Sequence, residues 1–95
     1  MEIKHKNFSS QGVFYIETDG EVLGEMVYKN DDNNNIVIQH TEVSEKLRGK
    51  GAGKQLVNAS VEYARKNNLK IIPRCSFARD VFERVKEYQD VLAPQ

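Results

Sequence analysis

One cysteine is all that the 95 residues carry. Cys75 can close no internal disulfide and has no partners at metal-ligand spacing, so neither cross-links nor a structural metal are expected to hold this chain together. Long apolar runs are missing as well: nothing approaches the roughly 18 consecutive apolar residues of a membrane span. The opening Met1-Glu-Ile-Lys-His-Lys6 lacks the apolar stretch of a signal peptide. These absences lead us to expect a cytoplasmic protein with no membrane attachment. Internal repeats and linkers are lacking too, and a chain this short has room for one core, so 1–95 reads as a single domain. In so small a domain most apolar residues serve the fold, and a functional site is expected to lie open at the surface.

Net charge is zero, but it is unevenly spread. Between Lys46 and Arg79 there are nine lysines and arginines against one acid, Glu62, while the rest of the chain holds five basic and thirteen acidic residues. A block of one sign is either a solvated helix face or a seat for an anionic partner, and the acidic remainder could attract a cation.

What the chain does have is a clear order of elements. Val13 to Thr18 and Glu21 to Lys29 are β-rich runs joined by Asp19-Gly20, the dipeptide of a two-residue hairpin turn. After the polar cluster 30–35, Ile36 to Val43 resumes as a third strand of an antiparallel meander; a short strand at Ile3 to His5 could precede it. The period then changes. Gly53, Val57, Val61 and Ala64 form one helical stripe with Leu56, Ser60 and Tyr63 beside it, predicting a helix from about Gly51 to Asn67. Leu69 to Pro73 reads as a short buried strand, and Val81, Phe82, Val85 and Tyr88 as one face of a final helix. Strand, helix and strand from 36 to 73 make a βαβ unit with parallel strands, so the fold class is α/β (α+β) with mixed strand directions. Ala93-Pro94-Gln95 is expected to fray.

Glycines 49, 51 and 53 fall where the third strand hands over to the long helix. Glycine lets the backbone turn sharply and approach a ligand, and the first helical turn offers unpaired N–H groups at the positive end of the helix dipole. With Arg48, Lys50 and Lys54 around it, the turn suits a phosphate or pyrophosphate. Two familiar glycine motifs do not fit. A Walker A loop ending at Gly53-Lys54 needs glycine at Arg48 and a hydroxyl at Gln55. A dinucleotide fingerprint from Gly51 needs glycine or alanine at Leu56, and an acid where the chain has Lys70-Ile71.

The run from Val43 through Arg48-Gly-Lys-Gly51-Ala-Gly53 to Leu56 resembles the acetyl-CoA motif of the GNAT N-acetyltransferase superfamily, Arg/Gln-x-x-Gly-x-Gly/Ala, with Arg48, Gly51 and Gly53 on its fixed positions. The likeness extends, through His40-Thr-Glu-Val43 and Pro73-Arg-Cys-Ser-Phe77, to very small stand-alone GNAT-like domains and covers roughly residues 13 to 90. It implies acetyl-CoA as co-substrate: the pyrophosphate on the backbone of Arg48, Gly49, Lys50, Gly51, Ala52, Gly53 and Lys54, the pantetheine arm along Thr41 to Val43, and Arg79 assisting. It also marks two departures. The two helices that shape the acceptor pocket in larger members are lacking, and Phe77 stands in the region where many members place a tyrosine acid, a part Tyr88 could take only if the last helix folds back.

Acetylating an amine needs a base near the thioester and an acid for the departing thiolate. His40 and Glu42, two apart on the strand that delivers the motif, share one face and are the base candidates; each could equally be a surface side chain. Cys75 follows the last strand, where a parallel pair opens into a crevice, and either accepts the acetyl group or serves as a small buried hydrophobe. The expectation is an acetyl-CoA-dependent N-acetyltransferase acting on a small amine or a protein amine, as a monomer or weak dimer and without a metal. A CoA-binding module without turnover and a nucleic-acid binder are the alternatives, the second disfavoured by the neutral total charge and the lack of a reading motif.

Overall fold

The computed structural model describes residues 1–94. Five strands form one sheet in chain order: β1 (Lys4–Asn7), β2 (Gln11–Thr18), β3 (Glu21–Asn30), β4 (Asn35–Val43) and β5 (Lys70–Pro73). The first four pair antiparallel, and β5 joins β4 in parallel. Asp19 and Gly20 both have positive φ, 52° and 80°, as the tight β2–β3 hairpin requires. The crossover from β4 to β5 is helix α1 (Ala52–Asn67), and α2 (Ser76–Arg84) follows β5.

Helix α1 buries Leu56, Val57, Ser60, Val61 and Ala64, the stripe that the sequence period marks. Ser60 stays satisfied by donating to Val57 O at 2.6 Å. Asn68, in the left-handed region at φ 56°, ends the helix while Leu69 N returns to Ala64 O. The stripe lands on the sheet face formed by Phe14, Ile16, Met26, Tyr28, Ile36 and Ile38, each 2% exposed or less. Both helices lie on this side, touching each other as well as the sheet. The molecule measures 36 × 31 × 21 Å, and the 21 Å dimension fits one helix layer on one sheet layer.

Two expectations are corrected near the C-terminus. Val81, Phe82, Val85 and Tyr88 do not share one helix. At Val85 the backbone turns extended (φ −102°, ψ 95°), and Tyr88 belongs to a separate 3-10 segment, Lys86–Val91. Side chains from elsewhere hold that break open. Gln89 Nε2 donates to Phe82 O at 2.7 Å, and Arg65 donates to Glu87 O at 2.6 Å. Nor does the tail fray as expected at Ala93. Leu92 bridges to Ile71 in parallel, Ala93 N donates to Ile71 O at 2.9 Å, and Ala93 is 5% exposed. The last residue of that expectation, Gln95, lies outside the described residues. At the other end, β1 runs from Lys4 rather than Ile3, with His5 stacked on Phe14 at a centroid distance of 4.1 Å.

Candidate functional site

The register of β3 with β4 slips by one residue at Gln39: Tyr28 pairs with Ile38 but Val27 with His40. Side chains alternate along a strand, so a single inserted residue reverses every direction after it. Ile36 and Ile38 point to the helices. Beyond the bulge it is Thr41, opposite Met26, and Val43, opposite Gly24, that face the helix side, while His40 and Glu42 turn to the other face. Pairing with β5 also ends here, at Ile38 and Pro73, with Arg74 N donating to Ile38 O at 2.9 Å. From His40 to Val43, β4 therefore presents an edge that β5 does not cover.

Into this opening runs a cleft of about 540 Å³. Its walls are Thr41 and Val43 from β4, Leu47, Arg48 and Gly49 from the turn, residues 51–54 from the start of α1, and Phe77, Val81, Arg84 and Val85 along α2. The floor is largely apolar and the mouth is cationic. Arg48 is 82% and Arg84 80% exposed at the side chain, with loose ion pairs to Glu45 (3.6 Å) and Asp80 (3.8 Å).

The glycines of the turn serve different ends. Gly49 (φ 77°) and Gly51 (φ 68°) occupy the left-handed region and have open space where a Cβ would stand, so conformation alone demands them. Gly53 has a helical backbone, but a Cβ there would lie 2.4 Å from Cζ of Phe77. It permits contact between the two helices. Gly51 also supplies no side-chain cap to α1, and no acid occupies the first turn. Among the described residues, the N–H groups of Gly51, Ala52, Gly53 and Lys54 find no protein acceptor; the first bond into the helix runs from Gln55 N to Gly51 O at 3.0 Å. Four free donors at the positive end of a sixteen-residue helix, bordered by Arg48 and Lys54, form an anion seat.

The candidate residues of the sequence thus fall into three groups. Thr41, Val43, Arg48, Gly49, Gly51, Ala52, Gly53 and Lys54 line the cleft together. Lys50 and Arg79 do not: Lys50 N closes the preceding turn on Leu47 O, and Arg79 donates to Arg74 O at 3.0 Å and borders a separate depression near Phe82 and Lys86. His40 Nε2 and Glu42 Oε1 lie 3.7 Å apart on the opposite face, with 60% and 65% side-chain exposure. Cys75 Sγ stands 3.4 Å from Thr41 Oγ1 and accepts from Ala78 N at 3.4 Å as the N-cap of α2. The Thr41–Cys75 contact spans the gap between the separating strands, with the thiol packed against the core on the helix side. Sequence reasoning missed Leu47, Val81, Arg84 and Val85. The first is a lone apolar residue in a polar turn, and the others read as one helix face with no sign of what the face covers.

A mixed sheet whose parallel pair splays at a bulge, with a glycine turn and free helix amides at the mouth, defines the GNAT acyltransferase fold. The comparisons agree. The family model for GCN5-related N-acetyl-transferase matches residues 13–91, and the chain belongs to that family. A GCN5-like protein from Staphylococcus aureus, solved by NMR, is 46% identical with a TM-score of 0.75, over 99% of this chain and 89% of that one. Ribosomal-protein-alanine N-acetyltransferase from Brucella melitensis shares the fold at 17% identity and a TM-score of 0.69, over 93% of this chain and 65% of that one. A Bacillus anthracis acetyltransferase structure in complex with acetyl coenzyme A has a TM-score of 0.61 at 24% identity, over 82% of this chain and 47% of that one. No curated protein matches the chain.

Proposed function

We propose that this protein transfers an acetyl group from acetyl-CoA to an amine, with the cleft between α1 and α2 as the CoA site. The observation that carries the reading is the row of unpartnered N–H groups at residues 51–54, set above an apolar cleft that leads to the β4–β5 gap. Pyrophosphate oxygens suit those donors and the Arg48 and Lys54 side chains, and the open space beside Gly49 and Gly51 lets them come close. The uncovered edge of β4, Thr41 to Val43, offers backbone hydrogen bonds to an amide-bearing arm. Acetyl-CoA supplies an activated acyl group as a thioester.

The remaining chemistry belongs to the chain. His40 and Glu42 sit where an amine reaches the gap from the open face, and their carboxylate–imidazole pair can draw off its proton, directly or through water. On the other side of the gap, the Thr41 hydroxyl and Cys75 thiol, 3.4 Å apart beside the N-terminus of α2, are the candidates to protonate a departing thiolate. Phe77 cannot donate a proton, and the Tyr88 hydroxyl is committed to Asn58 Oδ1 at 2.8 Å, away from the cleft.

Calorimetry with acetyl-CoA, followed by amide shift mapping, tests the reading. Shifts at 41–54 and around 75–77 are expected. Thioester loss in the presence of an amine distinguishes transfer from a binding module. If acetyl-CoA did not bind and duplex DNA did, with a steep salt dependence, the basic stretch would serve nucleic acid and the proposal would fall.

A further inference from the structure

The cleft continues beyond its glycine turn. Phe77, Val81, Arg84 and Val85 recur at helical spacing and all line it, so one face of α2 follows the cleft along the whole helix. The start of α2 marks the inner end: Cys75, its N-cap, touches Thr41 at the β4–β5 gap, and the tip of the Phe77 ring fills the space beside Gly53 in the first turn of α1. At about 1.5 Å of rise per residue, Arg84 stands about 10 Å further along the α2 axis. There the cleft has an apolar wall, with Val81 8% exposed, and a guanidinium at its rim.

This guanidinium is separate from the anion seat of the turn. The amides of residues 51–54, with Arg48 and Lys54 beside them in the chain, come from the start of α1, whereas Arg84 reaches the cleft from the last turn of the other helix. Its ion pair with Asp80, one turn back, is loose at 3.8 Å. The carbonyl end of a helix is electronegative, by about half a charge, so an anion settles at this end of α2 only on the arginine.

We propose that Arg84 is a second phosphate seat, which holds the 3′-phosphate of acetyl-CoA and makes the protein discriminate CoA from its dephosphorylated form. The inference rests on the CoA reading of the cleft and adds a specificity-determining residue to it. CoA carries phosphate in two places: a pyrophosphate between pantetheine and ribose, and a monoester on the ribose 3′ oxygen. With the pyrophosphate on the turn and the pantetheine arm running to the gap at the start of α2, the nucleotide extends the other way, toward Arg84. A phosphomonoester bears a charge of about −1.5 to −2 at pH 7 and has three acceptor oxygens, which a guanidinium meets with two parallel N–H bonds.

The test is calorimetry of the whole protein with CoA and with dephospho-CoA at low salt. CoA is expected to bind about fivefold more tightly, as befits an exposed ion pair. Arg84→Gln, checked for folding by thermal melting, should bring that ratio to one or below, because Asp80 and the helix end then face the phosphate unopposed. Arg48→Gln should weaken both ligands and preserve the ratio. In phosphorus NMR the monoester, which titrates near pH 6 when free, should titrate lower in the wild-type complex and return toward its ordinary value in Arg84→Gln. A wild-type ratio of one, a ratio unmoved by Arg84→Gln, or a ratio lost in Arg48→Gln instead overturns the proposal while both ligands still uphold the CoA cleft. If neither ligand bound the wild type, the CoA reading itself would fall and the second seat with it.

Discussion

At the scale of single residues, the glycine turn shows how one motif meets several physical demands. Gly51 needs its conformation and nothing else, so Gly51→Val places a β-branched side chain at φ 68° with no clash to avoid. The strain costs about 1–3 kcal/mol. Because the turn holds the free amides in place, acetyl-CoA affinity in calorimetry should fall at least about tenfold while the domain still melts cooperatively. Gly53→Ala acts differently. Its Cβ would stand 2.4 Å from Cζ of Phe77, the far end of a side chain that is 42% exposed, so the ring is expected to swing aside at little cost in melting temperature while acetyl-CoA affinity changes with the displaced cleft wall. A melting temperature several degrees lower would show that the ring cannot move. The sequence made the first demand legible, since strand-to-helix position and alternate spacing are local. The second was hidden because its partner lies in another helix. Cys75 poses a third question. As the N-cap of α2 its sulfur is replaceable, so Cys75→Ser should keep the Ala78 N–H bond and the fold. Loss of transfer with retained acetyl-CoA binding would then assign the thiol to chemistry.

Whole elements were most legible where their signal is a period. The hairpin, the α1 stripe and the parallel β5 follow from alternation, from the 3.6-residue period and from Asp19-Gly20. Two things escaped: the β4 bulge, which no residue in Gln39-His40 announces, and the break after α2, which is imposed by Gln89 and Arg65 from a distance. Arg65 binds both oxygens of Asp90 at 2.9 Å and holds the Asp90 carboxyl below the usual carboxylate range. Arg65→Ala should therefore accelerate hydrogen exchange at Ala93 and Leu92 first, leaving the β2–β3 ladder protected. On β1, His5 shares a 2.6 Å hydrogen bond with Tyr28 Oη under the Phe14 and Tyr63 rings, and burial lowers its pKa. The neutral ring is the folded form. As pH falls from the ordinary histidine value near 6.5, the unfolded chain takes up a proton that the fold resists, so stability declines from there down through the lowered value. Melting temperature measured between pH 8 and 5 should drop in the wild type and stay flatter in His5→Gln. Equal slopes would remove His5 as the cause.

Across the molecule, the charge asymmetry read from the chain becomes a division between layers. The basic stretch from Lys46 to Arg79 contributes Arg48 and Lys54 to the cleft mouth, but Arg65 and Lys70 are spent on Asp90 and on carbonyls of the C-terminal segment. The count of charges was visible in the sequence, and their allocation required the fold, because the contacts of Arg65 and Lys70 with Asp90 join residues twenty or more positions apart. Arg48, Lys54 and Arg84 gather around one cleft, so the field there suits a pyrophosphate. Cations so exposed are screened once the Debye length falls from about 10 Å at 0.1 M salt to about 3 Å at 1 M. Acetyl-CoA affinity should accordingly weaken several-fold across that range, while S-acetylpantetheine, which has no phosphates and can meet only the apolar floor and the β4 edge, should bind weakly and with little salt dependence. Measured by calorimetry, the difference in slope isolates the contribution of the charged mouth. If both ligands responded alike, the phosphates would not be lodged at the turn, and the free amides of residues 51–54 would need another guest.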